Sequence, residues 1–195
     1  TGYAEFTNSS NYEQDQVNLQ YSQFITRTCF RENRIRQMIH GNLDGLGEDE
    51  DIDNKVIIER FFGLAGAPVT SYCGSKEKFI GRYHGYGNPV GVESGKLSGE
   101  MNYNGNSCGA LATVIRLAPG EERQIAFLLG MKYEEEASAI VVAYEDTKAV
   151  CDAQTEELIT YWHEKLSHFQ VKTPSKEFDI MINTWNAYNC FMTFI

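Results

Sequence analysis

From residue 1 to about residue 130, apolar positions alternate with polar ones in short runs separated by Gly, Asn, Ser and Pro. That is the pattern of antiparallel strands with one buried face, and it predicts strands at 3–7, 19–29, 34–39, 56–64, 69–73, 78–83, 108–117 and 123–129. Between the last two, Ala118-Pro119-Gly120-Glu121 offers a proline that presets φ and a glycine that accepts positive φ. The two runs are therefore expected to form a hairpin.

From Tyr133 onward glycine disappears and the apolar period lengthens from two to about three and a half, so helices are expected. They are placed at about 134–144, from an N-cap at Asp146 or Thr147 through Phe169, and after Thr173-Pro174, where proline suits a first helical turn. On the last of them Phe178, Met181, Ile182, Trp185, Tyr188, Met192 and Ile195 recur at helical spacing as one apolar face. The expected architecture is mainly β with C-terminal helices: an antiparallel β-sandwich over 1–131, followed by a helical linker over 132–195. Both ends read as cut, since the chain opens on a strand-like Tyr3-Ala4-Glu5-Phe6 and closes on the apolar run Cys190 to Ile195 without a stop signal.

Charge narrows the partners. With 27 acidic and 17 basic residues, a net charge of -10, the surrounding field repels nucleic acid and anionic membrane surfaces. No run approaches the roughly 20 apolar residues that span a bilayer. The cysteines Cys29, Cys73, Cys108, Cys151 and Cys190 are scattered, without a CxxC pair or metal-ligand spacing, and read as free, mostly buried thiols of a reducing, cytoplasmic compartment. The acidic segment Asp44 to Asp53 lacks the ligand spacing of a calcium loop and reads as a solvated hairpin loop.

Two segments hold chemistry. Phe79 to Pro89 places Arg82, Tyr83, His84, Tyr86 and Asn88 in a loop, a set that suits a sugar, with rings on the apolar face of a pyranose and polar groups on its hydroxyls. The same residues also serve as an ordinary solvated turn. On the last helix, Asn183, Asn186 and Asn189 flank Trp185 and Tyr188, where the amides meet either a sugar or another helix. The stretch Asn102 to Cys108 is a weaker candidate, a polar turn entering a strand. Glu59, Glu77 and Glu93 are acids in no recognisable catalytic motif, and His40, His163 and His168 read as surface or packing residues.

The ordered blocks Lys78-Phe79-Ile80-Gly81-Arg82-Tyr83, Gly87-Asn88-Pro89, Asn106-Ser107-Cys108-Gly109-Ala110-Leu111, Leu117-Ala118-Pro119-Gly120-Glu121 and Leu128-Leu129-Gly130 resemble the N-terminal sandwich domain of the inverting phosphorylases of glycoside hydrolase family 94. Met181 to Cys190 looks like the family's helical linker, which leads into an (α/α)6 barrel, and Tyr3 to Phe6 with Asn18 to Ser22 looks most like the cellodextrin and cellobiose branch. The resemblance implies phosphorolysis of β-glucosidic bonds of cello-oligosaccharides by inorganic phosphate, giving α-glucose 1-phosphate without a metal or organic cofactor. It implies a catalytic Asp and phosphate-binding residues in the barrel, so none of the catalytic residues falls on this chain. It also implies a homodimer, in which one subunit's sandwich lies near the other's active-site entrance. Arg82, Tyr83, His84, Asn88, Trp185, Asn186 and Tyr188 are then candidate carbohydrate or interface contacts. Asn189 departs from the Gln that relatives often carry.

Two other readings compete: a stand-alone carbohydrate-binding β-sandwich module with a helical stalk, and a structural subunit of a surface assembly. The second calls for paired cysteines and an export signal, and neither pattern is seen.

Overall fold

A computed structural model describes residues 1–6, 26–39, 58–103 and 105–193. The chain forms two compact units, Thr1–Lys148 and Ala149–Ile195. The acidic segment Asp44 to Asp53, His40, Asn104, Ile195 and most of the 19–29 run lie outside the described residues.

The first unit is a sandwich of two antiparallel sheets. One has the order β1 (Gly2–Glu5), β6 (Ser107–Ala112), β5 (Ser71–Ser75); the other is β2 (Thr26–Arg31), β3 (Arg34–Ile39), β4 (Ile58–Ala65), β7 (Ala126–Tyr133). Alternation along each strand decides which residues face the partner sheet. Ile35, Phe62, Leu64 and Leu111 point inward with Phe6 and form the central core, where Phe30 stacks on Tyr72 at 4.1 Å. Cys73, Cys108 and Ala110 point outward from the three-stranded sheet onto Phe79 and Leu97. Phe61 points outward from the four-stranded sheet onto Ala137 and Val141 of α3 (Glu134–Ala143). Helices thus cap both outer faces of the sandwich.

The turn between β2 and β3 is two residues long, with Glu32 at φ 52° and Asn33 at φ 58°. Left-handed φ at both positions matches the twist of the flanking strands, which is why two-residue hairpins select it. Asn33 tolerates it cheaply, and its Oδ1 accepts a hydrogen bond from Val69 N–H at 3.2 Å. Glu32 is the unusual occupant, held by Arg34 and Ser138.

Two sequence expectations are corrected. The 78–83 run is not a strand: Lys76–Ile80 forms a short helix, α1, which Gly81 ends at φ 87°, and Val90–Glu93 forms a further single turn, α2. Lys76, Glu77 and Lys78 favour helix, and its one buried apolar residue, Phe79, stacks on Tyr3 at 4.5 Å. The predicted hairpin around Pro119-Gly120 is also absent. The turn exists, with Glu121 N–H bonded to Ala118 O at 3.0 Å and Gly120 at φ 80°, but the 108–117 run ends as a strand at Ala112 and the next begins only at Ala126. Both edges of β6 are taken by β1 and β5, so β7 pairs with β4 in the other sheet. The turn therefore links the sheets.

The second unit is helical. It holds most of α4 (Thr147–Ser167), then α5 (Lys176–Ile180), which continues through a π-helical stretch (Met181–Asn186) into α6 (Ala187–Thr193). Ser175 caps α5, its Oγ accepting from Phe178 N–H at 3.3 Å. Among the described residues no helix is long and apolar enough to cross a membrane, and no group of three His, Cys, Asp or Glu side chains is placed to hold a metal ion.

Candidate functional site

After α1 the chain enters the loop that the sequence singled out. Gly81 has no room for a side chain, because a Cβ there would lie 2.5 Å from Val90. Tyr83 follows at φ 64° with its ring 98% exposed, a combination that costs conformational energy and buries nothing within the unit. His84 and Asn88 turn back into the loop. His84 Nδ1 lies 2.8 Å from Asn88 O and 3.5 Å from Glu93 Oε2, and Asn88 Oδ1 accepts from Gly85 N–H at 3.2 Å. Arg82 is exposed, and among the described residues it makes no hydrogen bond or ion pair. The loop thus splits into a scaffold, His84 and Asn88, and a presented pair, Arg82 and Tyr83.

What fastens the loop to the sheet had no signal in the sequence. Glu5 on β1 accepts hydrogen bonds from the Tyr86 hydroxyl and, at 2.8 Å, from the Tyr3 hydroxyl, while Lys76 Nζ lies 3.1 and 3.2 Å from its two oxygens. Lys76 also sits 5.3 Å from the centroid of the Tyr86 ring. Burial disfavours the Glu5 carboxylate, but the bonds from Tyr86, Tyr3 and Lys76 outweigh it and hold its pKa below the ordinary value. Burial, together with the bond to Glu5, raises Tyr3. Residues 3, 5, 76 and 86 share no sequence pattern, and only the pairing of both β1 and β5 with β6 brings them together.

Beside this cluster opens a cleft of about 480 Å³ lined by Lys76, Glu77, Ile80, Gly81, Arg82 and Asn106. Glu77 is no free acid, since its carboxylate accepts from Ser75 Oγ at 3.3 Å and from Asn106 N–H at 3.4 Å. Asn102, from the weaker candidate segment, is buried: its Nδ2 donates to Gly105 O and Ser107 Oγ, both at 2.9 Å. It pins the entry to β6.

Glu59 is spent on structure as well. It is fully buried, with Oε1 3.0 Å from Arg34 Nε and Oε2 3.2 Å from Arg36 Nη1. Glu134, at the start of α3, joins the same network through Arg31 at 2.8 Å and Arg36.

In the second unit, Asn183 brackets one residue of the preceding loop: its Oδ1 accepts from Val171 N–H at 2.8 Å and its Nδ2 donates to Val171 O at 2.9 Å. That amide meets the chain itself, the packing alternative. Trp185 is 58% exposed and meets Tyr188 edge-on at 6.5 Å; Tyr188 and Phe191 lie 6.2 and 5.1 Å from Trp162. Asn186 lines a groove of about 310 Å³ with Leu166, Phe169 and Ile182. The wider π-helical turn over Met181–Asn186 shifts the residues beyond it off the simple helical stripe.

Comparison with known proteins matches residues 1–147 to the supersandwich domain of glycosyl hydrolase 94 and residues 161–195 to the catalytic domain of the same superfamily. N,N'-diacetylchitobiose phosphorylase of Vibrio proteolyticus is 30% identical over 187 residues, 95% of this chain and 22% of that protein. Cyclic beta-(1,2)-glucan synthase NdvB of Rhizobium meliloti is 33% identical over 66% of the chain and 4% of its own length. The 3-O-beta-D-glucopyranosyl-beta-D-glucuronide phosphorylase of Paenibacillus borealis is 32% identical over 60% of the chain and 15% of its own length. The chain thus spans about a fifth of the length of the chitobiose phosphorylases it matches.

Proposed function

The chain belongs to the glycosyl hydrolase 94 family, and from that premise we propose that it is the non-catalytic N-terminal part of a carbohydrate phosphorylase. The full-length protein cleaves a β-glucosidic bond of a cello-oligosaccharide with inorganic phosphate, reversibly, to give α-glucose 1-phosphate. The observation that carries this is the order of the matches, a supersandwich domain followed directly by the start of a catalytic domain. The same order argues against a stand-alone binding module.

Glu59, Glu77 and Glu93 are engaged or exposed within the sandwich and converge on no common point. This supports a general acid lying outside the chain, in the barrel. A second reading, an N-acetylated chito-disaccharide as substrate, is favoured by two relatives that match 95% and 96% of the chain, both diacetylchitobiose phosphorylases. The free thiols of Cys73 and Cys108 in the sandwich core fit a cytoplasmic protein.

The exposed tip Arg82-Tyr83 and the exposed aromatic residues Trp185 and Tyr188 are then contacts to the catalytic domain, the sugar or the second subunit of a homodimer. Incubating the full-length protein with phosphate and either cellobiose or N,N'-diacetylchitobiose tests the assignment. Release of glucose 1-phosphate supports the first reading, and release of N-acetylglucosamine 1-phosphate the second. Neither product, with a range of β-linked disaccharides, would remove the phosphorylase assignment. In the same protein Tyr83→Ala raises the acceptor KM or weakens the dimer; if both stay unchanged, the tip has no such role.

A further inference from the structure

The cleft beside α1 has a composition that neither the loop tip nor the sandwich core requires. Its cations, Lys76 and Arg82, are matched by two carboxylates, Glu5 bonded to Lys76 and Glu77 on the lining. Asn106 donates its Nδ2 to Glu77 and keeps its amide oxygen as an acceptor, and Ile80 with Gly81 adds an apolar stretch. A phosphate or an acidic polymer gains little from such a set, because the two positive charges are balanced by two negative ones, although Arg82 itself is unpaired among the described residues. Hydroxyl groups, which donate and accept at once, fit alternating donors and acceptors.

Beside the cleft stands Tyr86, 63% exposed. Its hydroxyl is tied to Glu5 and its ring is held by Lys76, so an exposed aromatic ring is fixed before any ligand arrives. Ordering a ring in advance removes an entropic cost from binding. Arg82 is unengaged among the described residues, so its guanidinium donors are available at the rim.

We infer that this cleft binds a neutral β-linked glucan chain, with the Tyr86 ring as its stacking face and Arg82, Glu77 and Asn106 as its hydrogen-bonding edge. The inference deepens the reading of the full-length protein as a saccharide phosphorylase and rests on it for the class of ligand. It adds a glucan-holding site on the sandwich that shares Arg82 with the exposed tip and does not use Tyr83.

Native electrophoresis of the full-length protein in gels containing soluble hydroxyethylcellulose tests it. The wild type is retarded, Arg82→Ala and Tyr86→Ala each bind about fivefold more weakly, and Tyr86→Phe, which keeps the ring, stays within about twofold of wild type. Arg82 is exposed and makes no bond among the described residues, so its loss is not read as unfolding. A wild type that runs unretarded overturns the site, as does an Arg82→Ala protein retarded as strongly as wild type. Weakened retardation accompanied by a changed oligomeric state in light scattering also overturns it, since the effect then belongs to the subunit contact. Glucose 1-phosphate release on the same preparation separates the two ideas. Retardation without glucose 1-phosphate sinks the cello-oligosaccharide phosphorylase reading and leaves the cleft standing, whereas product without retardation does the reverse.

Discussion

Arg34 exposes no surface, and its guanidinium lies between the carboxylates of Glu59 and Glu32 at 3.0 and 2.6 Å. A buried ion pair contributes little over a well-packed apolar pair, but breaking one strands the remaining charge. Arg34→Ala leaves Glu59 with Arg36 alone, and the expected loss is about 3–5 kcal/mol in urea unfolding. A loss below about 1 kcal/mol would show that Arg36 or water takes over. Glu32 gives a pH signature. The bonds from Ser138 and Arg34 lower its pKa to about 2 in the fold. A carboxylate depressed in the folded state stabilises above its unfolded value, near 4.5, and that contribution fades as pH falls towards 2. The side chain is 47% exposed, so solvent screens the effect. In acid titrations of thermal stability, Glu32→Gln is expected to flatten the wild-type decline between these two pH values.

Elements show where neighbouring strands leave room. Gly109 on β6 faces the sandwich interior, and a Cβ there would lie 2.6 Å from Phe62 Cβ. Its φ is not left-handed, so space rather than backbone conformation makes it glycine. Gly109→Ala forces the sheets apart or shifts Phe62 and costs about 1–3 kcal/mol, measured by denaturant midpoint. An unchanged midpoint would mean the sheets slide freely at that point. The alternation of Arg34-Ile35-Arg36-Gln37 made β3 legible, yet it read as one apolar and one solvated face. Helix α3 covers the arginine face, placing Val141 and Ala137 on Phe61 and Glu134 on the arginines. A period of two records which residues share a face, and says nothing of what packs there.

At the scale of the molecule, the second unit leaves Phe178, Met181, Trp185 and Met192 about half exposed. Residues 1–195 prepared alone are expected to enhance the fluorescence of an apolar dye strongly, and the full-length protein much less, because the catalytic domain covers that face in the proposed reading. Equal enhancement in both would leave the helix without a partner.

Most strand and helix positions among the described residues, the change from β to α near residue 133 and the family were legible in the sequence alone, because periodicity, turn residues and ordered motifs are local properties of the chain. Three things were decided only by the tertiary structure: the pairing of β7 with β4 rather than β6, the helix at Lys76–Ile80, and the joining of Tyr3, Glu5, Lys76 and Tyr86. Each depends on contacts between residues far apart in sequence. Strand edges, a lone buried Phe79 and a shared carboxylate acquire partners only when the sheets close.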